Sequence, residues 1–420
     1  DLRLREVYNS NMSVGSAPFS DDFQWQRYRL RLGGKYTVSE DINLNFRYVW
    51  EFWNFCDPEY VDRGMDWRNS FFDRMNIEFK NAFDMPATLT VGRQDIILGT
   101  GWLVLEGTPT DGSRSIFFDA IRYQHSLSET STLDLAYIYQ QDDLNNWLPR
   151  FDHSSSMGGR NVADWKDEQG FIAYYTNKDN AVASYDAYFI YKEEEQSDYA
   201  KKHAPTKGYD AEYYTIGGRL FGKMDENWSY TAELAGQWGD RDGTDLSNAF
   251  ATNNKLIYSY NDDRNTQLFC GYEFLSGDDP GSSDDERFDT LWSGYPQSQR
   301  GGDLQVYMWT PEYGNIAEIG NMHRVGGGHS FKPADEWTMV TQYNALWAHE
   351  NQNAMTNTGT GFTSGDSKFR GHLVSWVATY QCCKKFKAHF MVDYLFPGDF
   401  YPNPGGDDAY FTRVNLEWTF

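Results

Sequence analysis

Apolar and polar side chains alternate one by one in stretches that recur along the whole chain. Two of these stretches read Leu2-Arg3-Leu4-Arg5 and Arg27-Tyr28-Arg29-Leu30-Arg31-Leu32, and others begin at Ile42, Met75, Leu133, Trp228 and Tyr410. A period of two residues places alternate side chains on opposite faces of a β-strand. The pattern therefore predicts an all-β protein in which each strand has one apolar face and one polar face.

The spacing of these stretches indicates how the strands are connected. We count about 18 runs, most of them about 9 to 14 residues long, which suits tilted strands that cross a membrane and extend beyond it. Short links (residues 38–41, 126–130, 176–180, 224–227, 333–335 and 383–384) alternate for much of the chain with long polar ones (57–67, 142–167, 278–302 and 350–367). This pattern is typical of a transmembrane antiparallel β-barrel with short periplasmic turns and long external loops.

Composition supports a membrane barrel over a soluble protein. Aromatic residues make up 17% of the chain, yet 23% of the residues are charged, a mixture that suits interfacial aromatic girdles and a polar lumen. No stretch approaches the roughly 20 apolar residues that a spanning helix needs. A soluble solenoid or propeller should show a tighter sequence repeat. We see no linker, and therefore expect residues 1–420 to form one barrel domain in the cell outer membrane.

The two ends of the sequence agree with this prediction. The chain begins at Asp1, directly in an alternating stretch and without a signal-peptide pattern, which is typical of a mature or trimmed protein. The last stretch, from Tyr410, is amphipathic and ends in Phe420. It resembles the closing-strand signal by which outer-membrane barrels reach their insertion machinery.

The net charge of −24 argues against a nucleic-acid-binding surface, which needs a basic footprint. Acidic residues are concentrated in residues 192–198, 240–245 and 278–285. None of these segments has the ligand spacing of a calcium-binding loop, so we interpret them as acidic external loops.

Catalytic and metal-binding patterns are not found in the sequence. It contains no HExxH pair, no GxSxG elbow and no phosphate-binding glycine loop, so we expect no enzyme and no cofactor. The four cysteines, Cys56, Cys270, Cys382 and Cys383, match no zinc spacing. We expect no metal site, and we expect the neighbouring thiols of Cys382 and Cys383 to point to opposite faces of a strand.

Two longer segments resemble the alginate-export family of outer-membrane barrels. Residues 91–122 read VGRQDIILGTGWLVLEGTPTDGSRSIFFDAIR, and residues 271–292 read GYEFLSGDDPGSSDDERFDTLW. The family has a GRQ strand followed by an FDAxR strand, and later a GYxxxSGD strand end with an acidic loop that leads to Phe-Asp. The chain departs from the family after this point, where SGYPQSQRGG replaces the usual Pro-Thr-Gly-His stretch. The resemblance implies an 18-stranded, monomeric-type barrel that transports an anionic exopolysaccharide.

If the apolar faces contact lipid, the alternate positions face the lumen. The candidate lumen residues for anion selection are Arg3, Arg5, Arg27, Arg29, Arg31, Arg47, Arg74, Arg93, Arg122, Arg241 and Arg413. Guanidinium groups offer fixed forks of donors to carboxylates, and charged side chains around a pore select ions by sign. The alternative is that these arginines pair with lumen acids, namely Glu78, Asp134, Asp186, Glu233 and Glu417, and hold the wall together.

Two positions depart from the simple alternation. Arg93 lies on the apolar phase of its strand, and only the GRQ resemblance places it at the lumen or the rim, which requires a bulge or the exit of the strand from the bilayer. Residues 97–112 break the alternation, and four apolar residues from Trp102 to Leu105 would be exposed in a surface loop. We therefore expect this segment to fold inward and narrow the pore.

The sequence predicts a pore for a hydrophilic anionic solute, either an alginate-like exopolysaccharide or small anions. The alternative is a non-conducting barrel that scaffolds an envelope or surface-layer complex. The expected partners are membrane lipids, lipopolysaccharide and the solute, with no nucleic acid. A periplasmic export partner remains an option, and monomer and homotrimer are both left open.

Overall fold

Eighteen antiparallel strands form one closed barrel in the computed structural model of the protein. The model describes residues 1–10, 23–57, 65–106, 117–141, 166–203, 209–292, 320–351, 367–400 and 408–420. Each barrel strand pairs with its neighbours in chain order, and the first strand also pairs with the last, with Leu2 opposite Trp418. The predicted fold class and strand number are confirmed.

The strand bounds follow the alternating stretches of the sequence. The strands are β1 (Leu2–Ser10), β2 (Phe23–Thr37), β3 (Ile42–Asp57), β4 (Met65–Lys80), β5 (Ala87–Gln94), β6 (Ile96–Ile97), β7 (Leu105–Glu106), β8 (Phe118–Ser126), β9 (Ser131–Gln140), β10 (Lys166–Asn177), β11 (Ser184–Gln196), β12 (Ala211–Lys223), β13 (Trp228–Arg241), β14 (Thr244–Ser259), β15 (Gln267–Leu275), β16 (Met322–Ala334), β17 (Trp337–Trp347), β18 (Phe369–Cys383), β19 (Phe386–Pro397) and β20 (Ala409–Trp418). The barrel contains all of these except β6 and β7, which form a separate two-stranded sheet. Among the described residues, no helix is long and apolar enough to cross a membrane.

The two faces of the barrel wall differ as the alternation predicts. Arg29 and Arg31 on β2 are 2% and 7% exposed, whereas Leu32 between the same neighbouring strands is 57% exposed. Leu44 and Phe46 on β3 are exposed in the same way. A charge on the lipid face costs about 2 to 4 kcal/mol at the bilayer midplane, so this orientation is the one that a membrane permits.

Aromatic pairs on the outer wall lie near both ends of the strands. The rings of Trp228 and Tyr258 are 4.9 Å apart where β13 begins, and those of Tyr214 and Trp238 are 6.0 Å apart near its other end. Rings at both ends of the apolar band are typical of the interfacial girdles of outer-membrane barrels. The outer wall therefore suits contact with membrane lipids.

The short turns and the strand ends that lead into the long connections lie at opposite ends of the barrel, with one exception. The links at residues 38–41, 335–336 and 384–385 lie at the same end as the start of β1 and the end of β20. The strand ends that lead into the long connections lie at the opposite end, and much of each connection is outside the described residues. The exception is the tight turn between β13 and β14 at Asp242 and Gly243, both of which have positive φ.

Two of the three acidic segments are not loops. Residues 240–245 form the β13–β14 hairpin, with Asp240 opposite Asp245, because the positive φ that Asp242 and Gly243 adopt permits a two-residue turn. Most of residues 192–198 belongs to β11, where Lys192 and Glu194 point into the barrel and are 3% exposed. The interpretation of these segments as external loops was wrong, because β11, β13 and β14 extend beyond the apolar residues from which their ends were predicted.

The prediction for the adjacent cysteines was also wrong. The register of β18 with β19 shifts between Tyr380 and Cys383, so strict alternation ends before the turn. The Sγ atoms of Cys382 and Cys383 are 3.3 Å apart, and both residues are exposed.

Candidate functional site

Six arginines form a continuous patch on the inner wall where β20, β1 and β2 lie side by side. We call this patch the arginine wall, and its members are Arg3, Arg5, Arg27, Arg29, Arg31 and Arg413. All six are between 1% and 7% exposed. They lie on one face because each strand contributes alternate positions, and the antiparallel register brings these positions level with one another.

Like charges face each other across the β1–β2 pair. Arg3 lies directly opposite Arg29, and Arg5 lies directly opposite Arg27. On the other side of β1, Val7 is opposite Arg413. Like charges at directly opposite positions of two strands destabilise a sheet, so this arrangement needs compensation from nearby acids or a functional reason.

Acidic side chains lie near two members of the arginine wall, Arg29 and Arg31. Arg29 Nη2 lies 3.4 Å from Asp1 Oδ1 and 3.6 Å from Glu417 Oε1. Arg31 Nε lies 3.7 Å from Asp73 Oδ2. The Nε atom of Arg29 is buried and has no hydrogen-bond acceptor among the described residues. On the β3 side, Glu51, which is 2% exposed, lies directly opposite Arg29, so the guanidinium also has a buried acidic neighbour.

Neutral polar groups contact two other members of the arginine wall. Arg5 Nε donates to Asn415 Oδ1 at 3.0 Å, and Arg413 Nε donates to His389 Nε2 at 3.0 Å. Such contacts satisfy a donor without cancelling the charge of the guanidinium group. They hold the two side chains in place against the wall.

The other predicted arginines are closely paired with acids. Arg93 donates from Nε and Nη2 to both carboxylate oxygens of Asp119, at 2.9 and 2.8 Å, and its guanidinium lies 3.7 Å above the Phe117 ring. Gly92, with φ of 116°, provides the backbone irregularity that the position of Arg93 required. The pair joins the GRQ strand to the FDA strand, which agrees with the scaffolding alternative for Arg93.

Four further predicted residues have close acidic partners. Arg122 donates to Asp134 from Nε at 3.0 Å. Arg47 pairs with Asp73 at 2.6 Å and with Asp95 at 3.0 Å, and Asp95 also pairs with Arg74. Arg241 Nη1 lies 2.7 Å from Asp285 Oδ2. These contacts agree with the scaffolding alternative for these four residues, whereas the arginine wall is the candidate for solute contact.

Two chain segments fold into the barrel and pack against each other. The first inward segment, residues 96–106, is a small hairpin in which β6 pairs with β7, and the second is residues 276–292, which follow β15. Trp292 N donates to Leu103 O at 3.1 Å, and the rings of Trp102 and Phe288 stack at 6.1 Å. The predicted inward folding of residues 97–112 is confirmed as far as residue 106, and residues 107–112 lie outside the described part of the chain.

The first inward segment contacts the wall opposite its own strand. Trp102 Nε1 donates to Glu273 Oε1 on β15 at 3.0 Å, and Glu273 also accepts from Arg324 Nη2 at 2.9 Å. At Gly99, where φ is 61°, a Cβ atom would lie only 2.6 Å from the hydroxyl of Tyr174 on β10. The segment therefore crosses the interior and leaves little room beside β10.

A buried lysine holds the second inward segment to the wall. Lys192 Nζ lies 2.6 Å from Glu194 Oε1 and 3.2 Å from Glu168 Oε1, and it donates to Leu291 O at 3.2 Å. The indole of Trp292 donates to Glu168 Oε2 at 3.3 Å. These contacts fix the end of the segment against β10 and β11, and we call them the lysine latch.

Several interior charges are not among the residues predicted from the sequence. Arg219 pairs with Asp186, and Arg324 pairs with Glu273, both on the inward phase of their strands. The alternation of β12 and β16 could have revealed both arginines. Lys192 was missed because its segment was interpreted as a loop. Arg370, which is 1% exposed, lies at the start of β18, where the sequence does not show clear alternation.

Asp285 in the second inward segment is an ion-pairing residue at the loop end of the barrel. Burial favours a higher pKa for this carboxyl group, but hydrogen bonds from Arg287 and the charge of Arg241 outweigh it and lower the pKa. Asp278, near the start of the segment, has a raised pKa because of partial burial and the charge of Asp285. No group of three or more metal-ligating side chains is present among the described residues.

A closed 18-stranded barrel with an apolar outer wall, a charged interior and inward-folded segments has the architecture of an outer-membrane channel. A family model described as Alginate export matches residues 2–415. The chain belongs to the alginate export family, and its place is the outer membrane. The family and the fold are those of transport channels rather than enzymes.

Solved outer-membrane proteins share this fold at low sequence identity. OprD from Pseudomonas aeruginosa is 10% identical, and the match covers 99% of this chain and 93% of that chain with a TM-score of 0.57. OpdL from the same organism is 12% identical, with 100% and 97% coverage and a TM-score of 0.57. OccAB4 from Acinetobacter baumannii is 12% identical, with 99% and 96% coverage and a TM-score of 0.55. No curated protein matches the sequence.

Proposed function

We propose that this transport channel passes hydrophilic anionic solutes and that the arginine wall selects them. The solute class comprises carboxylate-bearing saccharide polymers, of which an alginate-like exopolysaccharide is an example, and small carboxylate anions. Guanidinium groups bind carboxylates through paired donors, which suits both forms of the solute. The name of the family agrees with a polymer of this chemistry.

The observation that carries this proposal is the opposition of Arg3 to Arg29 and of Arg5 to Arg27 across β1 and β2. A sheet selected for stability alone would place opposite charges in these positions. Arg93 opposite Asp119 is a pair of that kind. Arg47 and Arg74 also face each other and share Asp95, and Arg29 has Glu51 opposite it on the β3 side. A row of facing cations inside a low-dielectric wall favours anions, and this local effect exceeds that of distant loop acids, which salt screens over about 8 Å.

Reversal potentials in a planar bilayer test this proposal. The wild-type protein should be anion-selective under a potassium chloride gradient. The triple variant R27Q/R29Q/R31Q should shift the reversal potential toward that of a cation-selective or non-selective pore. The matched control removes three lysines that are exposed at the turn end, in K80Q/K178Q/K223Q, and should keep the wild-type value. An unchanged reversal potential in a correctly inserted triple variant would assign selection to other residues.

A second candidate function is a non-conducting barrel that scaffolds an envelope complex. The observation in its favour is the packing of both inward segments inside the barrel, together with exposure of only 1% to 7% for the arginine wall. Absence of single-channel events from folded, inserted protein would support scaffolding, whereas discrete anion-selective events would support transport.

A further inference from the structure

Two adjacent thiols meet at the end of the barrel that carries the short turns. Cys383 is the last residue of β18 and lies opposite Phe386 across the two-residue turn to β19. The irregularity after Tyr380 brings the Sγ atoms of Cys382 and Cys383 to 3.3 Å, with both residues exposed. A small displacement would therefore bring the two sulfur atoms to bonding distance.

The surroundings of Cys383 favour its thiolate form. Lys384 and Lys385 form the turn immediately after Cys383, and a neighbouring ammonium group favours the thiolate form, which is the reactive nucleophile. Short turns of outer-membrane barrels face the periplasm, a compartment that is kept oxidising by protein thiol–disulfide exchange. The pair is therefore accessible to proteins that carry a reactive disulfide.

We propose that Cys382 and Cys383 are a redox-active dithiol that a periplasmic thiol–disulfide oxidoreductase converts to a vicinal disulfide. One thiolate attacks the disulfide of the oxidoreductase, forms a mixed disulfide and releases one thiolate of the enzyme. The second thiolate then attacks the sulfur of its neighbour in the mixed disulfide, forms the Cys382–Cys383 bond and releases the second thiolate of the enzyme. The channel loses two electrons and two protons, and the oxidoreductase disulfide becomes a dithiol.

The geometry indicates a reversible bond rather than a structural one. Adjacent Cα atoms are about 3.8 Å apart, which is below the range of about 4.4 to 6.8 Å found in most disulfides. The small ring that such a bond closes is strained and is easily reduced. The other two cysteines do not compete for this bond, because Cys270 lies on β15 and Cys56 lies on β3, neither of which is a neighbour of β18 in the barrel.

Oxidation would also constrain the closing strand. The carbonyl of Lys385 accepts a hydrogen bond from Thr419 N at 2.8 Å, and the rings of Phe386 and Trp418 are 5.2 Å apart. Ring closure at Cys382 and Cys383 fixes the irregularity next to this contact. The redox state of the pair is therefore linked to the site where the end of β20 is held.

Thiol counting on folded protein in detergent tests the proposal. The background C56S/C270S leaves only the adjacent pair, and oxidised glutathione serves as the probe. We expect both thiols to disappear with a mass decrease of two hydrogen atoms in the peptide that contains them, and to return after reduction with dithiothreitol. Phenylarsine oxide, which bridges two close thiols, should block both from maleimide in the reduced protein.

The matched control is C56S/C270S/C382S, which keeps only Cys383 and should stop at a stable glutathione adduct. A heat-modifiability gel shows that each variant is folded. The proposal is overturned if the two-thiol protein also stops at the glutathione adduct, forms cross-linked dimers, or leaves both thiols open to maleimide after treatment with phenylarsine oxide.

Discussion

Arg93 on β5 and Asp119 on β8 lie opposite each other and form a bidentate ion pair, with distances of 2.9 and 2.8 Å. Both residues come from the two motifs that connect the chain to its family, and both are nearly inaccessible to solvent, at 1% and 5% exposure. The two motifs therefore contribute a contact between neighbouring strands. The sequence resemblance alone had placed Arg93 at the lumen or the rim.

Removal of the acidic partner should destabilise the barrel strongly. The variant D119N leaves Arg93 as a buried charge beside a neutral amide, and breaking a buried pair in this way costs about 3 to 5 kcal/mol. The measurement is the urea dependence of folding in detergent, followed by heat modifiability. The control D263N changes an exposed aspartate in the β14–β15 turn and should be neutral. Equal midpoints for the two variants would contradict the structural role of the pair.

The lysine latch should keep the second inward segment in place. In K192M the carboxylates of Glu168 and Glu194 lose their shared partner, and Leu291 O loses its donor. Glu194 keeps its contact with Lys166, but the buried Glu168 loses its nearest cation, so we expect residues 276–292 to detach and single-channel conductance to rise or fluctuate. The control K178M removes an exposed lysine from the turn of the same hairpin. Wild-type conductance in folded K192M would show that the latch does not hold the segment.

The ion pairs of Asp285 should give a defined pH dependence. The pKa of Asp285 in the folded protein lies below its ordinary value of 3.8, so the carboxylate stabilises the fold fully above pH 3.8. This stabilisation is lost as the pH falls through the lower folded pKa. The difference in unfolding free energy between the wild type and D285N should therefore be constant above about pH 3.8 and shrink as the pH falls from there through the folded pKa. A difference that grows on acidification would contradict the sign of the shift.

The outer face of β13 should reject charge at mid-strand. Leu234 is 54% exposed and lies six residues from the start of β13 at Trp228, on the apolar face. The variant L234R should cost about 2 to 4 kcal/mol of folding stability in lipid bilayers. The variant L234A removes the same apolar side chain without adding charge, and it should cost less. Comparable losses for the two substitutions would place Leu234 away from the hydrocarbon core.

The local pattern of the chain was sufficient for the strands and their faces. Alternation with a period of two is a property of neighbouring residues, and it correctly placed Arg27, Arg29 and Arg31 inside and Leu30 and Leu32 outside. The apolar run at Trp102 also predicted an inward segment, because such a run is costly to expose to water. The strand number and the barrel class follow from the count of these stretches and from their connections.

Partner choice could not be predicted from the same pattern, because it depends on register between residues far apart in the chain. Arg3 opposite Arg29, Trp102 against Glu273, and Lys192 against Leu291 are set by how the wall closes and by which segments it encloses. An irregular backbone also prevents prediction from the alternation, but through neighbouring residues rather than distant ones. Positive φ at Gly92 and the register shift before Cys383 redirect side chains that strict alternation would send elsewhere, since each breaks the period on which the prediction depends.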